Sequence, residues 1–255
     1  MFFNVLKSEF TKLFTTRAVW FNLIILVLMT LGFHVFSIFM MKTYANDTPG
    51  LTVPPEMVAP AITMPGAMIL GIMAIIAVTN EYSHKYVSMS FQATPNRVVL
   101  ALAKLVMTII VAALLGFILQ LIAFPVTQLI VGKEMAPNLG FGNEAVQKFL
   151  WKTPIYMAFY VTFAQGLAWL LRSAVAAIVI LLGWYMTLET LVIPMIYKVG
   201  DKIAPYAPFK NLSAFYRGEV IDKVPWGEWG SLGYFGAWAA VLYIVAMVLL
   251  IKRDA

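Results

Sequence analysis

The sequence predicts an all-α polytopic membrane protein with six membrane-spanning helices. Of its 255 residues, 62% are hydrophobic and only 12% are charged, whereas about 25% of the residues in a soluble domain are charged. Apolar runs of about 20 residues mark membrane spans, and such runs occur at 19–41, 61–79, 98–131, 153–171, 174–196 and 232–251. We therefore expect one transmembrane domain, residues 1–255, with little soluble mass.

The first element is predicted to be an amphipathic helix at 3–15. One side has apolar residues at helical spacing, namely Phe3, Leu6, Phe10, Leu13 and Phe14, and the other side carries Lys7, Glu9, Thr11 and Lys12. Such a helix lies in the membrane interface with its apolar face in the acyl boundary. A frayed N-terminus is the alternative, and the clean periodicity favours the surface helix.

The next elements differ in length and in their breaks. The second span is short and contains Pro65 and Gly71, and the third is long enough to be tilted, kinked at Pro125 or extended beyond the bilayer. After it, we expect a short helix near 143–150. The segment 190–231 contains several prolines, and its first part, 190–216, is predicted to form short helices that dip into the outer leaflet.

The basic residues predict that both termini are cytoplasmic. With that orientation the inner side holds nine bases and three acids, which is the whole formal charge of +6, while the other charges cancel. This excess of basic residues therefore indicates contact with the surface of the inner leaflet rather than binding to nucleic acid. We expect contacts with lipid phosphates from Lys7, Lys12, Arg17 and Lys104.

Catalytic motifs are absent from the sequence. The chain has two histidines and no cysteine, and it contains no paired-histidine metal motif and no phosphate-binding G-x-x-x-x-G-K-[ST] loop. We therefore expect a protein that is not an enzyme and that holds neither a metal nor a cofactor. If ATP drives it, another polypeptide supplies the ATP site.

A short polar loop at 80–97 separates the second and third spans. It contains charged and aromatic residues in close succession, followed by Thr94, Pro95 and Asn96, which predict a helix start. Arg97 and Lys104 lie seven residues apart on one helical face and could meet lipid phosphates or an acidic partner. A plain positive-inside loop is the alternative to a partner-binding loop.

Polar residues inside the spans are few. Glu189 could face a cavity, or it could be an outer-interface acid exposed to water or paired with Lys198. His34 is better explained as a buried imidazole with its hydrogen bonds satisfied than as part of a proton relay. Gln120, Gln128 and Gln165 each suit hydrogen bonds between helices, and together with His34 they could line a translocation path.

The order of these parts resembles the permease subunit of a type 2 ABC exporter, in particular the small six-helix half-transporters that export drugs, bacitracin or lantibiotics. The family has an elbow helix before span one, as 3–15 suggests, and paired outer helices before the last span, matched by 188–216. Its loop between spans two and three is similar to Glu81-Tyr82, Thr94-Pro95-Asn96-Arg97 and Ala103-Lys104 here. One departure is that the family commonly has Arg and Gly-Thr soon after Glu-Tyr, where this chain has Ser83 and Lys85-Tyr86.

The resemblance implies a function and a set of partners. Two permease chains, identical or sister subunits, would each dock on one ATPase subunit that binds ATP and Mg²⁺, and would export an amphiphilic drug, antimicrobial peptide or lipid-like molecule across the bacterial plasma membrane. The coupling residues would be Glu81, Tyr82, His84, Lys85, Tyr86, Phe91 and Arg97. The outer gate or cavity would involve Glu189, Pro194, Pro205 and Pro208.

Other function classes fit the sequence less well. An ion-coupled secondary transporter without an ATPase partner should show inverted halves or several acids at the midplane, and only Glu189 and His34 are candidates. A membrane-embedded enzyme needs a cluster of ionisable groups. A structural anchor would not need the polar loop at 80–97.

Overall fold

The computed structural model describes residues 2–45, 51–83 and 96–252. Within these ranges the regular secondary structure consists of helices, which are joined by turns and loops. In chain order the elements are α1 (Phe2–Thr15), α2 (Arg17–Ala45), α3 (Pro55–Ser83), α4 (Arg97–Val131), α5 (Glu144–Leu171), α6 (Ala174–Leu182), a π-helix (Gly183–Val192), α7 (Ile193–Met195), α8 (Gly200–Ile203), a 3₁₀ turn (Ala204–Tyr206), α9 (Pro208–Arg217) and α10 (Glu228–Lys252).

The prediction of an all-α chain with six candidate spans is confirmed for the described residues. The helical stretches long and apolar enough to cross a membrane are Val19–Tyr44, Pro55–Ser83, Arg97–Val131, Glu144–Leu171, Ala174–Met195 and Glu228–Lys252. These are the features of a multi-pass membrane protein. The orientation of the termini stays a prediction.

Local capping explains where two of the long helices begin. The Asn96 side chain accepts hydrogen bonds from the backbone amides of Val98 and Val99, both at 3.1 Å, which confirms the predicted helix start. Asn143 caps α5 in the same way through the amide of Ala145 at 2.9 Å. The helix predicted near 143–150 is present, but it is not short, because α5 runs without interruption from Glu144 to Leu171.

The fifth span changes helix type within the membrane-length run. It begins as α6, whose first turn is capped by Ser173, continues as a ten-residue π-helix and ends as the single turn α7. Long π-helices are rare, and short π segments occur frequently at functional positions. The hydrophobic periodicity of the sequence does not distinguish this segment from an ordinary α-helix.

The described residues form two compact units. The first unit comprises Met1–Lys12, Gly71–Ile109 and Ala158–Ala255, and the second comprises Leu13–Leu70 and Ile110–Met157. In the first unit a Cβ added at Gly71 would lie 2.6 Å from Cε1 of Tyr160, so only glycine permits this close approach of α3 to α5. In the second unit the amide of Val53 donates to the carbonyl of Met135 at 2.7 Å, which joins the segments before α3 and after α4.

Candidate functional site

Four charged side chains in the first unit form an ion cluster, which we define as Glu9, Lys12, Glu81 and Lys104. Lys104 Nζ lies 2.5 Å from Glu9 Oε2 and 3.0 Å from Glu81 Oε1. Lys12 Nζ lies 2.7 Å from Glu9 Oε1 and 3.6 Å from Glu81 Oε1. The side chains of Lys104 and Glu9 are only 4% and 2% exposed, whereas Lys12 is 50% exposed. The cluster is electrically neutral, with a buried pair at its centre.

The ion cluster connects three helices that are far apart in sequence. Glu9 lies in the middle of α1, Glu81 is in the last turn of α3, and Lys104 is two turns into α4. A buried ammonium is tolerated only when carboxylates neutralise it, and here one carboxylate comes from α1 and the other from α3. The cluster therefore ties α1 to both helices that flank residues 84–95.

Burial alone would raise the pKa of the Glu9 carboxyl, since it penalises the charged form. The positive charges of Lys104 and Lys12, together with their hydrogen bonds, outweigh that penalty and hold the pKa below its ordinary value of 4.5. Glu9 is therefore ionised at neutral pH, which the pairing with Lys104 requires.

Further contacts brace the same end of the first unit. The Arg97 guanidinium donates to the carbonyl of Leu250 near the end of α10 at 3.0 Å. The Tyr243 hydroxyl donates to the carbonyl of Ala101 at 2.9 Å. These two bonds join the beginning of α4 to the last turns of α10, beside the ion cluster.

Tyr82 provides a second brace at this end. Its ring packs edge-on against Trp169 with centroids 6.2 Å apart, and the Arg172 guanidinium lies over it at 5.1 Å. Arg172 is in the turn between α5 and α6 with a positive φ of 53°, a conformation that costs energy for a residue other than glycine. The end of α3 is therefore held by α5 as well as by α1 and α4.

The predicted coupling residues divide into two groups. The structure places Glu81, Tyr82 and Arg97 in the braced region just described. The other four, His84, Lys85, Tyr86 and Phe91, lie outside the described residues.

The basic residues predicted to contact lipid phosphates differ in their exposure. Lys7 and Arg17 are exposed, as contact with lipid phosphates requires. Lys104 is not, because its ammonium is enclosed by Glu9 and Glu81, so the prediction of a phosphate contact is corrected for this residue. Its acidic partner lies within its own chain.

The sequence interpretation of α1 needs a related correction. Glu9 was assigned to the polar, outward side of this helix, yet it is the buried residue of α1. Phe3 and Phe14 are 80% and 50% exposed within the chain, so the prediction that they lie on the membrane side is not contradicted and stays a prediction. The missed signal is Lys104 itself, because a lysine in an apolar run needs a counter-charge, although nothing in the local sequence selects Glu9.

Glu189 has a structural role in the first unit that none of the sequence alternatives describes. Its carboxylate accepts hydrogen bonds from the Trp184 indole at 2.8 Å and from the backbone amides of Phe209 at 3.2 Å and Lys210 at 2.9 Å. The side chain is buried, and the two amides are at the N-terminus of α9, where a negative charge is favourable. The expected exposed acid or partner of Lys198 is therefore replaced by a cap that holds α9 to the π-helix.

Phe209 anchors the same end of α9 by packing. Its ring is completely buried among four other aromatic rings, with centroid distances of 5.6 Å to Tyr160, 5.1 Å to Phe163, 5.2 Å to Tyr185 and 5.3 Å to Phe235. The sequence analysis did not identify Phe209, because the rings around it come from distant segments. We refer to Phe209 with its four neighbours as the aromatic anchor.

The predicted gate prolines lie in three short helical elements. Pro208 begins α9, Pro205 is in the 3₁₀ turn, and Pro194 is in the single turn α7. Asn211 Nδ2 donates to the carbonyls of Pro205 and Ala207, both at 2.9 Å. The prolines therefore shape the short helices, and hydrogen bonds hold these helices together.

The predicted path residues do not all share one environment. In the second unit His34 Nε2 lies 2.9 Å from the Thr127 hydroxyl, and Gln120 Oε1 accepts from Thr63 at 3.3 Å. Gln128 donates to the carbonyl of Ala136 at 3.1 Å. Gln165 belongs to the first unit and donates to Thr108 at 2.8 Å.

The described part of the chain contains no group of three or more His, Cys, Asp or Glu side chains arranged to hold a metal ion. In comparisons with known proteins, no family model and no curated protein sequence matches the chain. The geometry above and the sequence resemblance are therefore the basis for a functional assignment.

Proposed function

We propose that this chain is the transmembrane permease subunit of an ATP-binding-cassette exporter, moving an amphiphilic substrate outward across the bacterial plasma membrane. A separate subunit would bind ATP and Mg²⁺ and hydrolyse the ATP, and a second permease copy would complete the transporter. The observation that carries the proposal is the buried ion cluster, in which Lys104 joins Glu9 of α1 to Glu81 of α3.

The argument is mechanical. A motor that presses on a loop moves the membrane helices only if the helix ends beside that loop are stiff, because a loosely held end absorbs the displacement locally. The two helix ends that flank residues 84–95 are held by Lys104 to Glu81 and by Arg97 to the carbonyl of Leu250. A force applied between them would therefore be transmitted to α1, α3, α4 and α10 together.

The charge distribution supports the same assignment. Within the ion cluster two acids neutralise two bases. The predicted cytoplasmic surplus of +6 is therefore carried by groups outside the cluster. Both termini would face the cytoplasm under this proposal.

The other end of the first unit suits a gate. The Glu189 cap and the aromatic anchor fasten α9 to the π-helix and to the long helices of its unit. We propose that this fastened state is the closed state on the outer side.

The proposal is tested by purifying the tagged chain from its native membranes in mild detergent and measuring Mg²⁺-dependent ATP hydrolysis in the eluate. We expect a stoichiometric ATPase, and we expect Glu81→Gln to reduce the co-purified activity. Glu56→Gln, at the opposite end of the same helix, is the matched control and should leave it unchanged.

An eluate without ATPase, from a chain that is monodisperse and helical, would contradict the proposal. Proteoliposomes would then be tested for substrate movement driven by a proton or sodium gradient without ATP. Movement under those conditions would favour the ion-coupled secondary transporter.

A further inference from the structure

Three helices of the second unit enclose a set of polar side chains that the mechanism proposed above does not use. Thr30 and His34 come from α2, Thr63 comes from α3, and Gln120 and Thr127 come from α4. All five are completely buried. We call this set the polar seam.

Two hydrogen bonds of the seam join the three helices. His34 joins α2 to α4 through Thr127, and Thr63 joins α3 to α4 through Gln120. On α3, one turn from Thr63, a Cβ added at Gly66 would lie 3.6 Å from Cγ2 of Thr30, so α2 also contacts α3 here. Each of the three helices therefore meets the other two along polar side chains.

The donors of the seam are assigned by its own hydrogen bonds. The Thr127 hydroxyl donates its single hydrogen to the carbonyl of Ala123 at 2.9 Å, so His34 Nε2 must be the donor towards Thr127. Thr63 donates to Gln120 Oε1, which orients the amide with Nε2 on the other side.

Three atoms of the seam have unused hydrogen-bonding capacity. Gln120 Nε2, Thr30 Oγ1 and His34 Nδ1 are buried and have no hydrogen-bond partner among the described residues. Buried donors are nearly always satisfied in folded proteins, and inside a membrane no bulk water is available to satisfy them. An amide N–H aimed into an apolar interior therefore indicates a partner that comes from outside the chain.

The chemistry of the seam restricts that partner. Gln120 Nε2 offers only hydrogens, so the partner must be a hydrogen-bond acceptor. None of the five seam residues is a carboxylate, a lysine or an arginine, so nothing among them would neutralise a charged group. A Cβ added at Gly66 would lie 3.5 Å from Cε of Met157, so this flexible side chain packs close to Thr30 and Gly66, and methionine adapts readily to a ligand.

We propose that the polar seam binds the uncharged carbonyl oxygen of an amphiphile, an amide or an ester, through the Gln120 side-chain amide. The apolar remainder of the ligand would lie along Met157. As a substrate class this rests on the proposed function, whereas the binding itself requires no ATPase.

The test measures binding to the purified chain alone, in dodecyl maltoside micelles, which contain no carbonyl group. The probes are dodecanamide and methyl dodecanoate, each labelled with ¹³C at the carbonyl, and the readout is the infrared carbonyl band. We expect a band shifted to lower frequency that saturates near one probe per chain. A shift with dodecanamide indicates a peptide-like source, and one with methyl dodecanoate indicates a lipid-like source.

Two variants decide whether the seam is the site. Gln120→Leu should weaken binding about tenfold because it removes the donor at nearly constant size. Gly66→Ala places a methyl group in the space beside Thr30 at ordinary contact distance and should also weaken binding. Thr43→Val, at an exposed position of α2 outside the seam, is the control and should bind like the wild type.

A missing shifted band for both probes would overturn the proposal, as would a band that persists at wild-type affinity in Gly66→Ala. Gly66→Ala keeps the test decisive if Gln120→Leu does not fold. If the proposed function is wrong but the binding proposal is right, the chain will bind the probe and will purify without an ATPase.

Discussion

Replacing Lys104 by methionine is the sharpest test of the ion cluster. Methionine keeps an unbranched side chain of similar length and removes only the charge. In Lys104→Met, Glu81 would keep its partial exposure, whereas Glu9, only 2% exposed, would keep Lys12 as its single cationic neighbour in the cluster. The change therefore leaves a buried, poorly compensated carboxylate.

The expected magnitude follows from the distances and the burial. At an effective dielectric constant of about 20, each ion pair of Lys104 is worth roughly 6 kcal/mol of gross attraction. The cost of removing the three ions from water and the repulsion between the two carboxylates cancel much of this. Breaking a buried pair by removing one partner typically costs about 3–5 kcal/mol, and we expect that loss in the free energy of unfolding.

The assay is equilibrium unfolding in mixed micelles, titrated with sodium dodecyl sulfate and followed by far-UV circular dichroism at pH 7. Lys12→Met is the matched control, because Lys12 is 50% exposed and exposed pairs contribute only about 0–1 kcal/mol. In the Lys104→Met background, Glu9→Gln should cost less than it does in the wild type, because it removes the stranded charge. Equal losses for Lys104→Met and Lys12→Met would refute the reasoning.

Four further changes follow from the structure, each measured by the same unfolding titration. Because the pKa of Glu9 is lowered in the folded state, its stabilisation is complete above about pH 4.5 and is lost as the pH falls through the folded-state value, and Glu9→Gln should reduce this acid dependence. Glu189→Ala leaves a part-buried indole and two helix amides without their acceptor and should cost about 3 kcal/mol. Phe209→Ala empties the aromatic anchor and should cost about 3–5 kcal/mol. Gly71→Ala forces a methyl group against Tyr160 and should cost about 1–3 kcal/mol.

The last three of these predictions each have a control within the chain. Gly32→Ala adds a methyl group with nothing within 4 Å, and Phe33→Ala shortens a side chain that is 54% exposed. Glu219→Ala removes an exposed acid whose nearest ion-pair contact is 3.9 Å away. If a core variant and its control lose the same stability, the packing or capping argument for that residue is wrong.

The presence of the helices was predictable from the sequence, because the signals for a helix lie in neighbouring residues. The hydrophobic runs identify the six candidate spans, and Asn96 identifies the beginning of α4 because a cap bonds to amides two and three residues ahead. The same local reasoning found the helix near 143–150 but not its length, because the helix continues into the span. Composition describes polarity along the chain and does not by itself end a helix.

The amphipathic pattern of α1 was predictable only in part. Helical spacing correctly predicted a helix, and Phe2–Thr15 is one. Spacing could not reveal that the face containing Glu9 turns inward, because the buried lysine that attracts it lies 95 residues further along the chain. A charged residue next to an apolar face reads as solvent-exposed until its partner is known.

The sequence by itself determined the class of the protein, the approximate position of each span and the location of the polar loop, since these depend on the composition of neighbouring residues. Only the tertiary structure decided that Glu9, rather than a lipid phosphate, neutralises Lys104, that Glu189 caps α9, and that four rings from three helices surround Phe209. It also decided that His34 and Gln120 belong to one polar seam. The reason is physical: burial and ion pairing arise when helices distant in sequence pack together, and a single sequence records the residues that can pair but not which of them meet.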